Sequence, residues 1–284
     1  MEETSTFRLG ELRLPWFALT VVVFSILIAL SADFIVPHDP EAIDPGNLLL
    51  PPWPLEGSLS AHLLGTDRLG RDILSRIILG TRLSLGVAAV ALIVGGLVGS
   101  TLGMISGFFG GWIDALIMRT ADTFLAFPSV LMALVLAVTV GPSFWVVALV
   151  LGLVLWARFA RLIRGETLSW KERDFVALAR VAGAGGFYIM LRHILPNVLN
   201  SLVVLATLQV GWAIVVEASL TFLGAGIPPP APTWGGMVAE GLDFVESAWW
   251  ISIMPGIAIL FVVFAFNLLG DWLRDHLDPG LRSV

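Results

Sequence analysis

The stretch ARFARLIRGETLSWKERDFVALARVAG, residues 157–183, lies between two long apolar runs and sets how the rest of the chain is read. With Arg192 just beyond it, it holds Arg158, Arg161, Arg164, Lys171, Arg173 and Arg180, so this region carries seven of the sixteen basic residues of the chain. The chain has 284 residues, is 57% hydrophobic and only 13% charged, and its mean hydropathy is +0.91. A soluble domain of this size could not bury so much apolar surface, so the chain reads as an all-α integral membrane protein. Within such a protein a dense Lys/Arg block marks the cytoplasmic side.

Apolar runs near the roughly 20 residues needed to cross a hydrocarbon core predict six transmembrane helices, at about 16–36, 83–107, 115–140, 143–163, 198–220 and 250–270. Gly141-Pro142-Ser143 supplies the turn that separates the third from the fourth. With the basic block inside, counting crossings puts both termini in the cytoplasm, together with Arg8, Arg13, Arg274 and Arg282. The stretch 217–250 has no Lys or Arg and carries Glu240, Asp243 and Glu246, as an exported loop should. Arg68, Arg71, Arg76 and Arg82 break the rule, because they fall on the outer side. A signal peptide is the alternative for the first run, with Ala29 and Ser31 near a cleavage point; the five remaining crossings would keep the same orientation.

The division that follows is a cytoplasmic N-terminus (1–15), a first helix (16–36), an external loop with an interfacial helix (37–82), a five-helix core (83–270) containing a cytoplasmic loop (164–197), and a cytoplasmic tail (271–284). In the external loop, Thr66 or Asp67 can cap a helix with Leu69, Ile73 and Ile77 on one face and Arg68, Asp72 and Arg76 on another. The alternative is that these residues are the solvated start of the second crossing. In that crossing Gly95, Gly99, Gly103 and Gly107 recur every four residues, which lets a neighbouring helix approach closely. Arg119 and Asp122 are spaced to pair on one helix face, and Pro128 permits a kink.

Candidates for chemistry are few. The chain lacks cysteine, and its histidines, His38, His62, His193 and His276, show no ligand spacing, so neither thiol nor metal catalysis is expected. Asp33, the Arg119 and Asp122 pair, and Glu217 are read as the candidate intramembrane ionisable groups, and they form no relay of carboxylates. On the fifth run Asn197, Asn200, Ser201, Thr207 and Gly211 share roughly one side. That stripe either lines an aqueous path, with Asn200, Thr207 and Gly211 as lining positions, or forms interhelical hydrogen bonds.

Inside the basic block, residues 175–182 favour a short helix that Gly183 and the glycines after it terminate. Asp174 stands near its N-terminus, where the helix dipole favours a negative charge. A helix this short is unstable alone and must dock, either on another protein or on the lipid surface.

Ala177-Leu178-Ala179, three further residues, Gly183 and then Leu195-Pro196 resemble the cytoplasmic EAA-type loop of ABC importer permeases. The pattern departs at Ala177, where that loop has Glu, and at Leu178, where it has Ala. GTDRLGRD (65–72), RHILPN (192–197), EASLTFLGAG (217–226) and PTWG (232–235) strengthen the likeness, which is to the C-type permease of dipeptide, oligopeptide and nickel uptake systems. The resemblance implies a type I importer permease fold in a bacterial or archaeal cytoplasmic membrane. It further implies a second, B-type permease chain, two cytoplasmic ATPases and an external solute-binding protein as partners, besides membrane lipid; nucleic acid is not among them.

In such a permease Asp174, Phe175, Ala177, Leu178, Ala179, Arg180, Gly183, Leu195 and Pro196 would couple to the ATPase. This chain has no GxxxxGK[ST] loop, and its single lysine, Lys171, follows Trp170. ATP and Mg would therefore be bound by the partner, with no cofactor and no catalytic residue in this chain. The external stretches would face the binding protein, or else merely cap the bundle. Import of peptides is the leading expectation. A nickel or other solute importer of the same build, an ATPase-independent channel or carrier, and a membrane enzyme are the rivals.

Overall fold

The computed structural model describes residues 14–277; Arg8, Arg13 and Arg282, invoked above for orientation, lie outside them. The described chain is helical: α1 (Trp16–Ile35), α2 (Ile73–Phe109), α3 (Gly111–Ala126), α4 (Ser129–Val140), α5 (Phe144–Lys171), α6 (Asp174–Val181), α7 (Gly186–Ile189), α8 (Leu195–Phe222), α9 (Trp234–Gly241) and α10 (Trp250–Leu277). A π-helical turn, Met190–Ile194, joins α7 to α8. Five helical stretches are long and apolar enough to cross a membrane: α1, α2, α5, α7 to α8, and α10. The pair α3 and α4, bent by 92°, passes the same test only when taken together.

The third predicted crossing is thus broken rather than kinked. Pro128 lacks an N–H and disfavours helical backbone in the residue before it, and Phe127 is extended at φ −84° and ψ 141°. Gly141, at φ +106°, ends α4, and the Ser143 hydroxyl caps α5 by accepting from the Val146 N–H at 3.2 Å.

The most extensive helix pair is α2 against α5, and the four-residue glycine repeat makes it. A Cβ on Gly99 would stand 2.3 Å from the carbonyl oxygen of Trp156, and one on Gly103 would stand 2.4 Å from that of Ala160. Both distances lie far inside contact, so no side chain fits between these backbones. The arginines leaving α5 are held by carboxylates of α3. Arg164 Nη2 donates to Asp114 Oδ2 at 2.7 Å, and Arg161 pairs with Asp122. Asp122 therefore meets α5 rather than Arg119, because an arginine on a packed neighbouring helix reaches it better than one on its own helix.

At the other end of the bundle, the expected helix from Thr66 does not form. Residues 66–72 make a tight turn closed by an isolated bridge between Thr66 and Asp72, with Gly70 at φ +77°. The Asp67 carboxylate accepts from the N–H groups of Leu69 and Arg71, satisfying locally the groups a helix would have used. Asp72 then caps α2, its carboxylate accepting from Ser75 N at 2.8 Å. Trp250 Nε1 donates to the Thr66 carbonyl at 3.0 Å, and Trp234 Nε1 to that of Ile77 at 3.1 Å. These bonds fasten the 37–72 segment and α9 over the helix ends.

Candidate functional site

Three polar places stand out in an otherwise apolar molecule. The first is α6. Val176 is fully buried and packs with Ile163, Ile189 and Ile194, while Ala179 lies against the same cluster. The opposite face leaves Phe175 39%, Leu178 69% and Val181 87% exposed, and Ala177, Arg180 and Asp174 are exposed beside them. The helix ends in a Schellman motif: Gly183 N–H donates to Arg180 O and Ala184 N–H to Ala179 O, each at 3.0 Å. Gly183 sits at φ +84°, the left-handed region where glycine alone is unstrained.

Leu195 is partly buried against the cluster that anchors α6, and Pro196 is exposed at the start of α8. The fifth predicted crossing begins earlier than 198, since residues 186–194 are already helical. Pro196 cannot donate a helical hydrogen bond, and the preceding π turn absorbs this without ending the helix. The non-helical part of the 164–197 loop shrinks to the short links on either side of α6.

The second place lies along α8. A cleft of about 370 Å³ is lined by Glu166, Trp170, Asn197, Asn200, Ser201 and Arg274 among others. Ser201 donates to Glu166 at 3.0 Å, an interhelical bond of the kind the polar stripe allowed. The three expected lining residues separate. Asn200 lines the cleft, but the Thr207 hydroxyl bonds back to Val203 O. Gly211 lies against α10, where a Cβ would meet Val263 at 3.1 Å.

Arg158, read from sequence only as part of the basic block, was missed as an intramembrane charge. Counted at about 1.5 Å per residue, it lies roughly 21 Å into α5, and Gln209 lies roughly 20 Å into α8 from the same end. Arg158 Nη1 donates to Gln209 at 2.8 Å, and its guanidinium lies 4.3 Å over the Trp212 ring. No carboxylate among the described residues forms an ion pair with it. Its position inside a long apolar run was the available sequence signal.

The third place is a buried ion network at the end capped by α9. Arg71 Nη2 reaches Glu240 at 2.7 Å, Arg71 Nε reaches Asp67 at 2.7 Å, and Arg76 meets both carboxylates. Arg76 is 1% and Asp67 0% exposed, so the charges survive only as a set. Arg82 pairs with Asp33 at 2.7 Å. Glu217 is fully buried and accepts from Ser84 at 3.1 Å and Thr221 at 2.9 Å. Two of the four histidines do not stay scattered either, for His38 and His62 converge on Asp72.

A bundle of long apolar helices, with charge pairs at its ends and one short amphipathic helix beside it, defines a multi-pass α-helical membrane protein. Comparison with known proteins narrows the class. The model of the binding-protein-dependent transport system inner membrane component matches residues 99–283, and that of the N-terminal TM domain of oligopeptide transport permease C matches residues 8–52. The chain belongs to the family of binding-protein-dependent transport system inner membrane components, of the C-type permease kind its motifs resemble.

Among its relatives, the dipeptide transport system permease protein DppC of Escherichia coli (strain K12) is 47% identical over 265 residues, covering 93% of this chain and 88% of that one. The di/tripeptide transport system permease protein DppC of Pseudomonas aeruginosa is 42% identical, covering 94% and 89%. The glutathione transport system permease protein GsiD of Pectobacterium atrosepticum is also 42% identical, covering 92% and 85%.

Proposed function

We propose that this chain is the C-type permease subunit of an ATP-driven importer that takes up dipeptides or oligopeptides delivered by an external solute-binding protein. The observation that carries this reading is its similarity, along nearly the whole chain, to permeases named for dipeptide, di/tripeptide and glutathione transport. Glutathione is itself a peptide, so the three names agree on a substrate class. In this reading a B-type permease completes the pathway, two ATPases supply ATP hydrolysis with Mg, and the site is the bacterial inner membrane.

α6 is the coupling helix. Its exposed Phe175, Leu178 and Val181 dock in the ATPase, with Asp174, Ala177 and Arg180 at the rim. Val176, Ala179 and Leu195 pack the helix on the bundle, Gly183 ends it and Pro196 stands exposed beside it, so that a push on α6 moves α5 and α8 as bodies. The bent α3 and α4 pair is the remaining crossing, giving six with both termini cytoplasmic. Three of the four arginines that opposed this orientation no longer count against it once paired: Arg71, Arg76 and Arg82 are neutralised by Asp67, Glu240 and Asp33. Asn200 and Arg158 face the pathway, Thr207 turns its hydroxyl back onto its own helix, and Gly211 serves packing.

The test is uptake of a labelled dipeptide by cells lacking their own peptide permeases and supplied with this chain, its neighbouring subunits and the binding protein. ATP-dependent uptake that unlabelled dipeptide suppresses, and nickel does not, is expected. Transport by the purified chain alone in liposomes would overturn the reading.

A further inference from the structure

The 37–72 segment contains a convergence of metal-ligating atoms that neither the fold nor transport accounts for. His62 Nδ1 lies 3.0 Å from Asp72 Oδ1, and His38 Nδ1 lies 3.8 Å from Asp72 Oδ2. The two imidazole rings lie against each other, tilted by 35°, with centroids 4.6 Å apart. One ligand atom from each of the three residues falls within 4.8 Å of the others.

His62 and Asp72 alone make an ordinary buried hydrogen bond. His38 does not fit that account. Its Nδ1 is cut off from solvent and has no hydrogen-bond partner, and 3.8 Å is too long for a hydrogen bond to the carboxylate. Buried polar atoms are rarely left this way, and each one that is calls for a partner.

The spacing suits two atoms bound to one ion. Zinc takes imidazole nitrogen and carboxylate oxygen at about 2.0–2.2 Å, which sets neighbouring ligands of a tetrahedral site roughly 3.3–3.5 Å apart; His62 Nδ1 at 3.0 Å from Oδ1 and His38 Nδ1 at 3.8 Å from Oδ2 fall on either side of that, each nitrogen beside a different oxygen of the one carboxylate. Two nitrogens and one oxygen select a borderline first-row cation over Mg or Ca, which prefer all-oxygen shells. The groups are also held in place. The His38 backbone N–H donates to Ser75 Oγ at 3.0 Å, and Asp72 Oδ2 accepts from Ser75 N and Ser75 Oγ, so the carboxylate has the hydrogen-bonded support that metal ligands need.

We propose that His38, His62 and Asp72 form a binding site for a borderline divalent cation of the zinc class. His38, with its side chain 38% exposed against 10% for His62 and 2% for Asp72, is the side from which a cation and a completing water would enter. The bound ion ties the chain at His38 and at His62 to the first turn of α2, one turn from Arg76 and its buried ion network. It is therefore a staple for the cap over the helix ends, independent of which solute is transported.

The test uses the full chain without a histidine tag, purified in detergent, stripped with a chelator, dialysed and titrated with zinc chloride. Bound zinc is measured by atomic emission and thermal unfolding is followed in parallel. One zinc per chain and a higher Tm with zinc are expected. His38→Ala leaves the His62 to Asp72 hydrogen bond in place, so it should fold, yet bind zinc at least about tenfold more weakly. His193→Ala, remote from the cluster, should bind as the unaltered chain does. Cobalt in place of zinc should give the intense visible bands of a four- or five-coordinate site, lost in His38→Ala. Absence of stoichiometric zinc, or binding unchanged by His38→Ala, would overturn the proposal.

Discussion

Gly183 and Arg158 show how much a single residue decides. The left-handed backbone at Gly183 costs a side-chain-bearing residue roughly 1–2 kcal/mol, so Gly183→Val should fray the end of α6 while leaving the bundle intact. We expect dipeptide uptake to fall severalfold with unchanged membrane abundance, read by quantitative blotting beside transport. Arg158 poses the opposite case, a cation at mid-depth held by Gln209 and Trp212. Arg158→Met keeps most of its apolar stem but removes the charge. It should still fold, with a small change in Tm, because Met keeps the apolar contact, the cation removed has no ion-pair partner among the described residues, and one side-chain hydrogen bond, to Gln209, is lost. Uptake should drop at least about tenfold if the cation meets the solute; equal uptake would assign Arg158 to packing alone. The sequence showed this arginine inside an apolar run but could not show which residues it touches.

At the scale of elements, α2 and α5 depend on a backbone-to-backbone contact. Gly99→Leu introduces a branched side chain where even a Cβ stands 2.3 Å from a carbonyl oxygen. Overpacking costs typically about 1–3 kcal/mol and here exceeds that, because backbone cannot repack. Fluorescence-detected size exclusion should show little monodisperse protein for Gly99→Leu, and normal amounts for Leu97→Ala on the exposed side of the same helix. The α6 helix behaves in the reverse way. Phe175 and Leu178 are exposed, so Leu178→Glu should change stability by no more than about 0.5 kcal/mol. Co-purification of the ATPase should nevertheless be lost, since a buried charge without a partner is costly at a docked surface. Both elements were legible in the sequence. The glycine period and the Phe175 to Gly183 pattern are local, and local patterns fix helix faces. The 66–72 turn was misread because its caps are side chains that also suit a helix start, and only the closure between Thr66 and Asp72 distinguishes them.

Across the whole molecule, one ion network joins the ends of α2 and α9. Arg71 and Glu240 are 169 residues apart in sequence, yet they share a nearly closed set of charges with Asp67 and Arg76. Glu240→Ala leaves two buried guanidinium groups with one carboxylate between them. Breaking such a set costs about 3–5 kcal/mol, so its Tm should fall markedly in differential scanning fluorimetry, more than for Asp243→Ala in the neighbouring turn. Survival of Glu240→Ala with an unchanged Tm would show that solvent reaches the network.

The apolar lengths, the Pro and Gly breaks and the short amphipathic helix follow from the sequence by itself, because a helix in lipid satisfies its own backbone and its length is set by the hydrocarbon it crosses. The tertiary structure alone decided which charges neutralise one another, why arginines stand at the end away from the basic block, and that His38 and His62 meet at Asp72. Those contacts join residues far apart along the chain, and no local period of apolar and polar residues encodes them.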